Sequence, residues 1–207
     1  MAQIKLDVAR TFRVFNLKFL NSEVEMGENK LYNLLKVYAM VIEPEIGYTQ
    51  GMNFIAAIIL MNCPNEALAC FMFMKVLNKD YWVRMFISST PKLFDMSQKI
   101  MDQIEKRDPA LFQHLFEYQI YLEIVLAGPL LTFFSSNLGF SESTHILTNY
   151  MLDGEKFILE LIVNVFTNMR ENILALKDQF EIQQYLSKQI YDDALSAKKF
   201  YIEQKQP

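Results

Sequence analysis

Apolar residues recur at helical spacing along nearly the whole chain. Leu31, Leu34, Leu35, Tyr38 and Val41 fall on one face of a 3.6-residue helix, while strict two-residue alternation is rare. The pattern predicts an all-helical, multi-helix fold. Thr90-Pro91 and Asp108-Pro109 each put a capping side chain before a first-turn proline, Ser141 precedes a periodic run, and Gly154 follows one. Short helices joined by short turns are therefore expected. The longest apolar stretches, residues 54–61 and 124–134, fall short of the ~18–20 residues needed to span a bilayer. They read as buried core helices. Residues 157–165 are apolar on nearly every side of a helix, which predicts a position in the middle of the bundle. In the last stretch, residues 190–201, Ile190, Ala194, Ala197 and Tyr201 share a stripe, with Asp192, Asp193, Lys198 and Lys199 elsewhere. This predicts a surface helix closing the fold.

A chain of 207 residues, 52% of them apolar, can bury one substantial core and is short for two. No repeat period and no low-complexity linker divides it, so a single domain over residues 1–207 is expected. The net charge of -4 disfavours nucleic acid as a partner, because polyphosphates are held mainly by clustered Lys and Arg. Cys63 and Cys70 are the only cysteines, with Pro64 expected to interrupt any helix between them. They supply neither a disulfide framework nor enough ligands for zinc, and a reducing, cytosolic compartment fits. The N-terminus reaches Asp7 before any apolar stretch long enough for a signal peptide.

The chain lacks a Gly-x-x-x-x-Gly-Lys-Ser/Thr loop, a Gly-x-Ser-x-Gly elbow and a His-Glu-x-x-His helix. Its two histidines, His114 and His145, fall in separate predicted helices, and adjacent acids such as Asp192 with Asp193, or Glu43 near Glu45, read as solvated surface. Two other segments are more informative. In residues 4–12, Ile4, Val8 and Phe12, continued by Phe15 and Phe19, form one helical stripe, and Arg10 points away from it. Asp7, three residues earlier, can hold the Arg10 guanidinium in a defined direction. Taken alone, that pair is an ordinary exposed ion pair, worth about 0–1 kcal/mol. In the second segment, Gly47 and Gly51 bracket Tyr48-Thr49-Gln50 ahead of an apolar run. That arrangement predicts a tight loop delivering Gln50 to the N-terminus of a buried helix, a place that attracts phosphate oxygens. A glutamine amide can donate one hydrogen bond and accept another, as positioning an attacking water requires. Taken alone, Gln50 reads better as a capping residue in a turn.

Together the two segments resemble the TBC domain family, the Rab GTPase-activating proteins. That family carries an arginine finger in an Ile-x-x-Asp-x-x-Arg motif and a glutamine finger in a Tyr-x-Gln motif. Here these are Ile4, Asp7 and Arg10, and Tyr48, Thr49 and Gln50, in the family's order and separation. The string Gly47-Tyr48-Thr49-Gln50-Gly51-Met52-Asn53 is more specific than either motif. Fainter similarity runs through Asp108-Pro109-Ala110-Leu111, Leu131-Thr132-Phe133-Phe134-Ser135 and Met151-Leu152-Asp153-Gly154. The resemblance implies a helical domain that lends Arg10 and Gln50 to a GTP-bound Rab, with Asp7 aiming Arg10 and Tyr48 shaping the loop that presents Gln50. It also implies no cofactor of the chain's own, since GTP and magnesium belong to the partner, and at most an indirect association with endomembranes. An alternative is a TBC-like scaffold that binds a GTPase or membrane-traffic protein without accelerating hydrolysis.

Three departures from the family accompany the match. Members ordinarily carry a helical segment with an Arg and a Trp ahead of the arginine motif, whereas this chain opens almost at Ile4, so a domain truncated or divergent at that end is expected. Gly128-Pro129-Leu130 stands where an aromatic is common, and His145-Ile146-Leu147-Thr148 stands where Arg-Ile-Trp-Asp is common. The latter two bear on core packing and on the fit to a Rab, not on the two fingers.

Overall fold

The structure, a computed structural model, describes residues 2–14 and 21–200, with side chains described for residues 2–11 and 27–200. Among the described residues the architecture is all-helical: α1 (Ala2–Val14), α2 (Asn21–Val37), α3 (Met52–Asn62), α4 (Glu66–Asn78), α5 (Pro91–Arg107), α6 (Pro109–Glu117), α7 (Leu122–Leu131), α8 (Phe140–Asp153), α9 (Glu155–Asn168), α10 (Arg170–Ala175), α11 (Gln179–Gln184) and α12 (Ile190–Ser196). Two π-helical turns, Tyr38–Ile42 and Tyr185–Gln189, and a 3-10 segment, Lys79–Met85, complete it.

Two helices act as axes: α3 has almost no polar face, and α9 keeps only a narrow polar stripe, where Glu160 and Asn164 bond Arg107. In α3, Ile55, Ala56, Ala57, Ile58 and Ile59 are all buried, and the helix packs against α1, α2, α4 and α8. In α9, Ile158, Leu159, Leu161, Ile162, Val163, Val165 and Phe166 are buried against α5, α8, α10 and α12, as the sequence predicted for residues 157–165. Elsewhere the amphipathic reading holds. In α2, Leu31, Leu34 and Leu35 are buried, and Tyr38 behind them packs edge-on to Phe73 at 5.0 Å.

Four local expectations are corrected. Val41 is not on the buried face: the helix widens into the π-turn after Val37, and the extra residue rotates Val41 out to 74% exposure. Thr90 does not cap α5 with its side chain; it sits at φ 42°, and its carbonyl instead accepts from Leu93 N at 2.9 Å. Helix α8 starts one residue before Ser141, with Gly139 rather than a serine at the N-cap. The last helix stops at Ser196, so Ala197 is exposed, and Phe200 folds back into the core after a left-handed residue at Lys198. Tyr201, like Phe15 and Phe19, lies outside the described residues, as does the side chain of Phe12.

Other boundary signals hold. Asp108 Oδ1 accepts from Leu111 N at 3.1 Å and caps α6, and Pro64 separates α3 from α4 with both cysteines free. Of the two departures inside the chain, Pro129 falls in the last turn of α7. There Thr132 Oγ1 donates to the Gly128 carbonyl at 2.8 Å, and Phe134 N donates to the Pro129 carbonyl at 2.7 Å. His145 and Thr148 face outward on α8 while Ile146 and Leu147 face the core, so the second departure keeps the helix amphipathic.

Gly154 forms the elbow between α8 and α9 at φ 70°, where a Cβ would run into Asp80 Oδ2; that oxygen accepts from Glu155 N at 2.7 Å. Glu155 in turn is bonded by Lys92 and, at 2.9 Å, by Lys99. Burial raises the Glu155 pKa, but the two ammonium groups outweigh it and hold the carboxyl below its ordinary value of 4.5. A depressed carboxylate stabilises the fold above its unfolded pKa and loses that contribution as pH falls through the folded one. Replacing the buried Lys92 by Met should therefore flatten the fall in urea midpoint between about pH 5 and pH 3 relative to wild type. An acid limb of unchanged steepness would show that the Lys92–Glu155 pair does not carry this pH dependence.

Candidate functional site

Helix α1 carries an apolar stripe, Ile4 and Val8, that packs on α2 and α3. Asp7 and Thr11 adjoin the stripe on the same side of the helix and are buried with it, at 1% and 0% exposure. Arg10 projects from the opposite side, its side chain 57% exposed. The pair is thus not the ordinary exposed one: a buried carboxylate holds an exposed guanidinium. Arg10 Nε donates to Asp7 Oδ1 at 3.1 Å, and Nη2 donates to the same oxygen. Among the described residues Nη1 has no partner.

Asp7 is saturated from other directions as well. Gln3 Nε2 donates to Oδ2 at 3.1 Å, one helical turn earlier, and the Tyr48 hydroxyl donates to the same oxygen at 2.7 Å. Burial pushes the Asp7 pKa up, but the hydrogen bonds from Arg10, Tyr48 and Gln3 and the Arg10 charge override it and hold the carboxyl below the usual aspartate value. The Tyr48 phenol moves the opposite way, raised first by burial and then by its bond to the Asp7 carboxylate. It stays protonated and serves as a donor.

Tyr48 belongs to the loop over residues 43–51 that presents Gln50. After the π-turn closes with Glu43 N donating to the Tyr38 carbonyl at 2.8 Å, Gly47 N returns to the Glu43 carbonyl at 2.8 Å. Thr49 Oγ1 donates to the Phe86 carbonyl at 3.1 Å, and Gly51 N donates to Asn53 Oδ1 at 3.0 Å. Gln50, between these anchors, is exposed, and among the described residues its amide has no hydrogen-bond partner. Gly51 is doubly required: its φ is 109°, and a Cβ would stand 2.8 Å from the Leu131 carbonyl oxygen and 3.3 Å from the Phe86 ring.

The four residues singled out in the sequence are joined in part. Arg10, Asp7 and Tyr48 form one hydrogen-bonded unit; Gln50 is tied to it only through the backbone after Tyr48, and among the described residues no hydrogen bond links it to Arg10. The expectation that the N-terminus of α3 offers amides to phosphate is corrected. Gly51 N is taken by Asn53, Met52 N by the Thr49 carbonyl at 3.2 Å and Phe54 N by the Gly51 carbonyl at 3.1 Å, and Met52 and Asn53 are buried. Sequence reasoning assigned no role to Gln3, Thr11, Asn53, Phe86 or Leu131. Spacing could have flagged Gln3 and Thr11, four residues either side of Asp7, whereas Phe86 and Leu131 reach the loop only through the tertiary fold. His114 is a buried packing residue whose ring lies 4.8 Å from that of Tyr118. Among the described residues no helix is long and apolar enough to cross a membrane, and no group of three or more His, Cys, Asp or Glu is placed to hold a metal ion.

Comparison with known proteins covers the same ground. The GTPase-activating protein GYP5 of Saccharomyces cerevisiae is 31% identical over 192 residues, 92% of this chain and 20% of its own length. TBC1 domain family member 12 of Xenopus tropicalis is 28% identical over 197 residues, 95% of this chain and 28% of its own. The human Ecotropic viral integration site 5 protein homolog is 26% identical over 183 residues, 88% of this chain and 22% of its own. The chain thus spans between a fifth and a third of these relatives' lengths. Residues 1–174 match the Rab-GTPase-TBC domain, a stretch that takes in the Asp7–Arg10 pair, the Gln50 loop and the helices that seat them. With that match over most of its length, the all-helical chain belongs to the TBC, or RabGAP, domain family.

Proposed function

We propose that this chain accelerates GTP hydrolysis by a Rab-family small GTPase, supplying Arg10 and Gln50 in trans to the partner's nucleotide site. The observation that carries the reading is the buried Asp7 carboxylate, which grips an exposed guanidinium with one oxygen and the glutamine loop, through Tyr48, with the other. A guanidinium held at Nε and Nη2 keeps Nη1 for phosphoryl oxygens on which charge builds in the transition state. Gln50, on an anchored backbone and with an amide that no described residue engages, can accept from an attacking water and donate to the phosphoryl group. Each is ordered at its base and open at its tip, so little freedom is lost when a partner docks. The family, and the GTPase-activating description of the yeast relative, point to the same activity. The chain needs no cofactor of its own, because GTP and magnesium arrive with the Rab. It is an activator rather than a self-sufficient enzyme, and it would meet its partner in the cytoplasm or at the surface of endomembranes.

Single-turnover GTP hydrolysis across a panel of Rabs tests this reading. For a responsive Rab, Arg10→Ala should lower the acceleration by about 10³-fold or more, the scale of arginine fingers in general. Arg10→Lys should also be impaired, because an ammonium cannot reproduce the planar fork of donors. Gln50→Ala should lose most of the acceleration. Since both side chains are exposed, these variants should lie within about 1 kcal/mol of wild type in stability. Full acceleration by Arg10→Ala and Gln50→Ala would exclude the two-finger mechanism, and equal affinity for GTP- and GDP-loaded partners with no acceleration would favour a binding scaffold.

Asp7→Asn should act on rate and stability together, because an amide at that position keeps the size but loses the charge that three donors converge on. Its rate loss should be smaller than that of Arg10→Ala. Its stability deficit should be full at neutral pH and shrink as pH falls below about 4, where the wild-type carboxylate is itself protonated as pH drops through its depressed folded pKa. A deficit independent of pH would mean that the Asp7 charge is not the stabilising element.

A further inference from the structure

Asn53, which closes the string over residues 47–53 but has been given no role, lies in the first turn of α3 and is 2% exposed. Its carboxamide faces both functional segments at once. Nδ2 donates to Thr11 Oγ1 on α1 at 3.0 Å, and Oδ1 accepts from Gly51 N at 3.0 Å, the amide immediately after Gln50. Oδ1 also stands 3.0 Å from the Tyr48 hydroxyl, whose one proton goes to the charged and closer Asp7 oxygen at 2.7 Å. Thr11 Oγ1 donates to the Asp7 carbonyl at 2.5 Å, so its proton is spent and only a lone pair faces Asn53. The site therefore needs a donor toward α1 and an acceptor toward the loop, spaced as a short carboxamide spaces them. Aspartate would set acceptor against acceptor beside the buried Asp7, and leucine would fill the space with neither.

We propose that Asn53 is a positioning residue that ties the Arg10 helix to the Gln50 loop. The inference rests on the reading of Arg10 and Gln50 as the residues lent to the GTPase and deepens it: their relative placement is set by a neutral bridge lying beneath the charged one between Asp7 and Tyr48. Each segment senses the other through Thr11, Asn53 and Gly51. Breaking the link on α1 should therefore loosen the loop, although no atom of the loop is changed.

Thr11→Val tests this with a substitution of similar shape that removes the lone pair facing Asn53 and leaves the Asn53–Gly51 bond in place. Two readouts are taken on variants that melt cooperatively: native-state amide hydrogen exchange at Gly51, and single-turnover hydrolysis by a responsive Rab across activator concentrations. Gly51 exchange should rise by roughly tenfold, and the saturating rate should fall between about tenfold and 10²-fold with little change in the half-saturating concentration, as for a small misplacement of reacting groups. Thr11→Ser should restore both. Asn53→Leu, provided it folds, should lower the saturating rate further than Thr11→Val does. Wild-type exchange and wild-type rates in Thr11→Val overturn the proposal, and so does a loss confined to half-saturation. If wild-type protein accelerates no Rab, the reading of function fails on that result, and Gly51 exchange in Thr11→Val against Thr11→Ser still decides whether the two segments are coupled.

Discussion

A carboxylate taken out of water must be compensated by donors or be protonated, and the site of this protein is arranged around that requirement at Asp7. Its own helix provides Gln3 and Arg10, and the third donor, Tyr48, comes from a loop 41 positions further along the chain. Compensation by Tyr48 requires that loop to be closed against α1. The same hydrogen bonds that keep Asp7 ionised thus draw the base of Arg10 and the loop carrying Gln50 together. Had Asp7 been on the outer face, its contact with Arg10 would be a solvated surface pair, with neither the direction nor the coupling.

The rest of the fold serves as a seat for that loop. Phe86 and Leu131 close on Gly51 from two sides, and each lies a few residues along the chain from a member of a buried aromatic cluster. Trp82 packs 4.8 Å from Phe133 and 4.9 Å from Tyr150, and the Tyr150 hydroxyl donates to the Lys79 carbonyl at 2.5 Å. This region holds residues in left-handed backbone, Asp80 and Tyr81 before Trp82 and Phe133 and Phe134 after Leu131. Conformations of that kind cost about 1–3 kcal/mol each and persist where the surroundings over-determine them, as the burial of Trp82, Phe133, Phe134 and Tyr150 does here. The departure at Gly128-Pro129 falls beside this seat and is absorbed there, since a proline ends α7 where the chain must turn to place Leu131 against Gly51.

Anchored backbone and side-chain ends without a partner among the described residues recur at both proposed contributing residues. Arg10 is held at two of its three nitrogens and Gln50 is flanked by Thr49 and Gly51, each hydrogen-bonded to another element. Such an arrangement suits a reaction that takes place in another protein's active site. The hydrogen bonds that order these bases form on folding, before any partner is engaged.

Periodicity alone was enough to establish an all-helical bundle with residues 157–165 at its centre, and to separate Arg10 from the stripe of Ile4 and Val8, because both depend on spacing within one helix. The two short motifs likewise marked Asp7, Arg10, Tyr48 and Gln50, since their residue types and order are written in the chain. The sequence misplaced Val41 and the end of the last helix, where a π-turn and a left-handed Lys198 changed the helical phase by a residue or more. It could not show that Asp7 is buried, that Tyr48 reaches it, that the first turn of α3 is already occupied, or that Asn53 stands between Thr11 and Gly51. Those facts are distances between segments far apart in sequence, and only the packing of α1 and α3 together, with Phe86 and Leu131 closing over the loop, determines them.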